Sequence, residues 1–295
     1  MLAVALWFLS GALAARTIPG ARSAARWLNL WVINIALPAL ILAKLPSVAM
    51  GEGTVIPVLM AWMSIAVGIV SVFVLSRLLG WSRGVTGALL LVVPLGNTSF
   101  LGFPVIEAVL GHDAVAHALP YDQLGSFLLL ATWGSFVAGR FGTGEQGWRP
   151  AVRRLLTFTP FVALLVSIAF RRWHLPDGAT DVLMRAGRTV APVALVSLGL
   201  RFRVGHDRKH RSVIATGLVA KMILQPLVVL GVALLLGDPG DLVWKVCIME
   251  AAMPPMVTAG VVGVAAGLDE ELLTSFVGTG TIVGLLVMSV VSLVL

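Results

Sequence analysis

Long apolar runs separated by short polar turns dominate this chain. The clearest uncharged runs cover residues 53–76, 85–106, 123–139, 155–170 and 272–295. A helix needs about 20 apolar residues to cross the hydrocarbon core of a bilayer, so each run reads as a membrane span. Residues 28–45 and 189–200 are interrupted or short candidates, 212–237 carries Lys221, and 242–267 carries Lys245 and Glu250. With the opening run over 2–15, the pattern predicts about ten spans. The opening run has no basic segment ahead of it and its first arginine, Arg16, follows it. It therefore reads as a short first span, shortened by a misassigned start codon if anything, and not as a signal-peptide core.

If the connections alternate sides, the turns over 16–26, 77–83, 140–154 and 201–211 collect fourteen Lys and Arg, and the opposite turns only six. The positive-inside rule makes the richer side cytoplasmic and puts both termini outside, as for a plasma-membrane protein. Composition agrees with a bilayer as solvent. Hydrophobic residues make up 58% of the 295, charged residues 12%, and the mean hydropathy is +0.98. Those figures exclude an ordinary soluble enzyme, a disordered chain and a disulfide-stapled secreted domain. The net charge of +7 sits in turns, where it faces anionic lipid rather than nucleic acid. Cys247 is the single cysteine and reads as a small core residue.

Proline inside a membrane helix frees backbone groups that only protein or a water-filled cavity can satisfy. Four predicted spans contain such interruptions, marked by Pro38, Pro104, Pro192 and the pair Pro254-Pro255. The offsets are 154 residues from Pro38 to Pro192 and 151 from Pro104 to Pro255, half the chain in each case. Five spans per half is an odd number, so the second half would insert upside down. That predicts an all-α membrane protein built as two inverted five-helix repeats, 1–140 and 151–295, joined by a polar linker over 141–150. Paired interruptions of this kind point to a transporter's midplane site. A kink that serves packing alone is the alternative for any one proline.

The strings Leu37-Pro38-Ala39-Leu40-Ile41, Gly96-Asn97-Thr98-Ser99-Phe100-Leu101-Gly102-Phe103-Pro104 and Met253-Pro254-Pro255 with Thr258-Ala259-Gly260 resemble the auxin efflux carrier family. That family includes plant PIN proteins and bacterial carriers proposed to move malonate, malate and similar acids. The resemblance covers essentially the whole chain. It implies a ten-helix inverted-repeat fold like that of bile acid:sodium symporters, with the fourth and ninth helices crossing at their broken midpoints. The long central cytoplasmic loop of the long plant carriers is absent.

Where broken helices cross, half-helix N-termini suit an anionic group and freed carbonyls suit a cation. Asn97, Thr98 and Ser99 at the first break, Thr258 after the second, and Asn34 one turn before Pro38 are the substrate-binding candidates. For Asn97 and Asn34 the alternative is interhelical hydrogen bonding. Lys221 and Glu250 are the charges nearest the middle of predicted spans, and intramembrane charges are functional by default. They read as charge-compensating or ion-coupling groups, with a structural ion pair as the alternative. His206, Asp207 and His210 lie in a basic turn that would repel a cation, and His112, Asp113, His117 and Asp122 read as an outward-facing acidic loop. Catalytic and phosphate-binding motifs are absent. The reading is therefore a secondary carrier of a small organic anion, such as a dicarboxylate or an auxin-like carboxylate, working by alternating access around the crossed helices, with H+ or Na+ as any coupling ion. It expects no cofactor or metal and leaves a homodimer open. An integral membrane enzyme and a passive channel are the rivals.

Overall fold

The computed structural model describes residues 2–44, 52–142, 153, 156–170, 176–202 and 210–294. In chain order its principal helices are α1 (Leu2–Thr17), α2 (Ser23–Lys44), α3 (Gly53–Leu78), α4 (Arg83–Val92), α5 (Thr98–Leu110), α6 (His112–Phe141), α7 (Thr159–Ala169), α8 (Gly178–Arg201) and α9 (Arg211–Leu236). They continue with α10 (Leu242–Ala251), α11 (Val257–Ala265) and α12 (Glu270–Val294). Six of them, α2, α3, α6, α8, α9 and α12, are long and apolar enough to cross a membrane. Among the described residues there is no strand, only an isolated backbone bridge between Gly96 and Pro255. Leu234, Leu235 and Leu236 are all exposed, as suits a face turned to lipid. Most of the linker, residues 143–150, lies outside the described residues, as do His206 and Asp207.

The helices pack as two groups. α1, α2, α7 and α8 hold one another, with Gly11 and Gly199 letting the α1 and α8 backbones touch. α3, α4, α6, α9, α10, α11 and α12 form the second group. α5 lies between them and packs on the second half of α8. The chain's broken segments therefore border the seam between two packed bodies.

The interruptions take three forms. A proline lacks the N–H that would bond back one turn, and its ring crowds that carbonyl. Ahead of Pro38 the helix widens to a π turn over Val32–Ala36 and continues, so the second span is not broken. In α8 the irregular pair Arg188–Thr189 precedes Pro192, and Gly178–Arg201 is longer than the short span expected there. The fourth span breaks fully, but at Pro94–Asn97 rather than at Pro104. Pro104 sits in the first turn of the resumed α-helix, behind a π turn over Thr98–Gly102. The same arrangement, a π turn over Ala220–Leu224 before Pro226, occurs in α9. π turns let a helix step past a proline while remaining a rod. At Pro254-Pro255 the chain leaves the helix completely between α10 and α11.

Two sequence expectations need correction here. The fifth span begins at His112, not Gln123, which takes Asp122 into the interior at 0% exposure instead of an outward loop. Asp113 is exposed, but it pairs with Lys44 at 3.1 Å and fastens the end of α2 to the start of α6.

Candidate functional site

The two complete breaks lie against each other. Asn97 donates its backbone N–H to the carbonyl of Pro254 at 2.7 Å, and Met256 donates to the carbonyl of Leu95 at 2.9 Å. This antiparallel bridge satisfies two of the groups each break sets free, which matters where no water can do so. The prolines are seated on α12, where a side chain at Gly280 or Gly284 would run into Pro255 or Pro254.

Two further carbonyls at the breaks are met by two side chains of α9, four residues apart and so on one face of the helix. Gln225 donates through Nε2 to the Val93 carbonyl of the first break at 2.9 Å. Lys221 donates through Nζ to the Ala251 carbonyl of the second at 3.1 Å, and to Gln225 Oε1 at 2.8 Å. Ser64 of α3 donates to the same Gln225 oxygen at 3.1 Å. An ammonium therefore stands at the crossing where freed carbonyls could hold a cation, and Gly96 leaves it room: a Cβ there would lie 3.2 Å from Nζ.

Lys221 and Glu250 do not form an ion pair. Both Glu250 oxygens are buried and lack a hydrogen-bond partner, as does Asn97 Nδ2. The Glu250 carboxylate faces Gly102, where a Cβ would lie 2.6 Å from Oε2. The Gly102 of the motif thus makes space for a carboxylate one break away. Buried polar groups without partners are uncommon and call for an explanation.

The hydroxyls expected to meet substrate are engaged. Thr98 Oγ1 and Ser99 Oγ both donate to Asp122 Oδ1, the second at 2.6 Å, and Gln123 Nε2 donates to Oδ2 at 2.6 Å. Asp122 thereby ties the π turn of α5 to α6, while Gln123 Oε1 is left unpaired. Thr258 is exposed in the first turn of α11 and does not join this cluster. Asn34 is also outside it. Its Oδ1 accepts from Thr159 at 2.7 Å and its Nδ2 donates to the Leu30 carbonyl, so it fastens α2 to α7.

The structure thus brings together Asn97, Lys221 and Glu250, each 2% exposed or less. To them it adds Gln123 and Gln225, which the sequence does not single out, and Asp122, which it assigns to an outward loop. Gln225 was visible as a polar residue one turn beyond Lys221 in an otherwise apolar span. Asp122 lies one residue outside the apolar run that predicts the fifth span. Among the described residues no cluster of three or more His, Cys, Asp or Glu could hold a metal ion.

The sequence profile of the family described as "Membrane transport protein" matches residues 2–292. The chain belongs to this family. It is the family of PIN-like auxin efflux carriers that the motifs resemble. An "Uncharacterized transporter" of Methanothermobacter thermautotrophicus is 29% identical over 274 residues, 91% of this chain and 88% of the relative. One of Methanocaldococcus jannaschii is 26% identical over 277 residues, 90% and 88% of the two chains. A protein of Rhizobium meliloti named "Putative malonate transporter" is 24% identical over 299 aligned positions, 94% and 90% of the two chains. Membership favours transport over catalysis.

Proposed function

We propose that this membrane transport protein is a secondary carrier of a small organic anion, a dicarboxylate or an apolar carboxylate. Its ten crossings would form two inverted five-helix repeats, 1–140 and 151–295, in the plasma membrane with both termini outside. The observation that carries the reading is the crossing itself: two broken helices bonded at their midpoints, with Gln225 and Lys221 each holding one carbonyl of a break. Broken helices with a buried charge at the midplane are how secondary transporters build their sites. α5 carries that crossing to the seam with α8, so sliding one packed body along the other would expose it to alternate sides. The near-complete burial of Asn97, Lys221 and Glu250 favours a carrier over a standing pore.

Lys221 supplies the positive charge an anion needs, and Asn97 Nδ2 is an unspent donor at the same crossing. A carboxylate with no partner, Glu250, leaves room for a proton or Na+ as counter-charge. The name of the Rhizobium meliloti relative supports an organic acid as substrate. The test is uptake of radiolabelled malonate and hexanoate into proteoliposomes, with and without pH and Na+ gradients. Saturable uptake that is lost in Lys221→Gln and weakened in Asn97→Ala supports the reading. Uptake of neither acid, or uptake indifferent to both substitutions, refutes it.

A further inference from the structure

A second feature lies along the seam, away from the crossing. A cavity of about 190 Å³ opens between the end of α8 and the pair α11 and α12. At about 30 Å³ per molecule of liquid water, it has the volume of roughly six waters. It runs along α11 from Val257, the first residue after the second break, to Val264. Its walls are chiefly apolar, with Leu198 and Phe202 on one side of the seam and Val261 and Val277 on the other. One cation, Arg201, stands in that wall at the last residue of α8.

The arginine has no acidic partner among the described residues. What holds it is neutral. With its amide turned to satisfy both ends, Asn29 accepts from Nη1 and Nη2 of Arg201 at 3.0 Å and donates to Ser197 Oγ. Ser197 in turn donates to the Ala25 carbonyl. Arg201 is thus oriented by α2, with no carboxylate among the described residues to compensate its charge, and it remains exposed. A fixed guanidinium beside a dry wall is suited to one carboxylate on an apolar body, since its planar fork matches a carboxylate and is weakly hydrated. A dicarboxylate would leave its second charge against Val261 and Val277, with no second cation among the described lining residues to meet it.

We propose that this cavity is a vestibular binding site for a monocarboxylate with an apolar tail, anchored by Arg201, on the path between the basic side of the protein and the crossing. The site rests on the organic-anion reading above and adds a specificity residue to it. Because its walls come from both packed bodies, it exists only while they stand as they do here. It would load substrate from one side only.

The test compares hexanoate and malonate as probes in proteoliposomes of sided orientation. Arg201→Gln should raise KM for hexanoate about tenfold to a hundredfold from the Arg201 side, the loss of one charge-assisted contact, and leave KM from the other side and for malonate unchanged. Arg201→Lys should recover part of that loss. Val261→Trp, which fills the cavity, should exclude hexanoate while still passing acetate. Wild-type-like thermal midpoints of these variants show that folding is intact. If Lys221→Gln abolishes carboxylate transport but Arg201→Gln leaves the hexanoate KM unaltered on both sides, the vestibule is wrong and the carrier reading stands. If Arg201→Gln only removes a co-purifying anionic lipid seen by native mass spectrometry, the groove is a lipid site and the proposal falls. If the wild type moves no carboxylate, both fall together.

Discussion

Replacing Gln225 by leucine tests whether α9 holds the two breaks together. The substitution nearly conserves volume but removes three side-chain hydrogen bonds: to the Val93 carbonyl, from Lys221 Nζ and from Ser64 Oγ. Ser64 can turn its hydroxyl to its own helix, so the costly losses are two. The Val93 carbonyl becomes an unpaired buried acceptor, at about 1–3 kcal/mol, and the Lys221 ammonium loses one of its two acceptors, at about 1.5–3 kcal/mol. Polar contacts measured inside membrane proteins are weaker, averaging about 0.6 kcal/mol, because the unfolded helices also find partners in the bilayer. Leucine also spares the cost of burying an amide. Together these place the loss at about 2–4 kcal/mol. At roughly 2 °C per kcal/mol for a domain of this size, the thermal midpoint should fall by about 4–8 °C. The chain carries its own reporter: Cys247 is the single cysteine and is fully buried, so a thiol-reactive dye labels it only as the structure opens. Ser64→Ala, which removes one neutral bond, should lower the midpoint by about 1–2 °C on the same scale. A shift below about 1 °C for Gln225→Leu, or equal shifts for both variants, would show that the crossing stands without this staple.

Gly102→Ala should destabilise the protein, because its Cβ would lie 2.6 Å from Glu250 Oε2. Shortening the obstacle in Gly102→Ala with Glu250→Ala should recover part of the midpoint, and no recovery would place the conflict elsewhere. Asp122→Asn offers one acceptor oxygen where the carboxylate serves Thr98, Ser99 and Gln123, so at least one donor is stranded. The expected cost is about 1–3 kcal/mol, read by the same dye. Asn34→Ala should leave transport unaltered and cost no more than about 1–2 kcal/mol, since it breaks two exposed bonds, one from Thr159 and one to the Leu30 carbonyl; a change in KM would return Asn34 to the site. Tags at either terminus should react with an impermeant reagent on intact cells, whereas labelling only after permeabilisation would reverse the topology drawn from the arginines.

Much of the architecture was written in one-dimensional features. That the chain is built of long apolar helices, six of them long enough to cross a membrane, follows from apolar runs because a bilayer demands a minimum length of uncharged helix, whatever the neighbours are. The motif from Gly96 to Pro104 marked the first break, and Pro254-Pro255 the second, because glycine and proline act on the backbone locally. The charge of Lys221 and Glu250 stood out for the same reason: few charges sit inside apolar runs. What locality could not supply was which backbone groups each break frees and what meets them. Whether a proline widens a helix, as at Pro38, or follows a break ten residues upstream, as Pro104 follows Pro94, depends on neighbours that accept or refuse the freed groups. That Asn34 and Thr258 stand apart from Asn97, that Asp122 turns inward, and that Lys221 bonds Ala251 rather than Glu250 are facts of packing between helices more than twenty residues apart in sequence. The sequence therefore determined that the chain spans a membrane in helices and where its irregular backbone lies. Tertiary structure alone decided which polar groups share that irregular region, because each freed carbonyl is satisfied by whichever donor the packing brings to it.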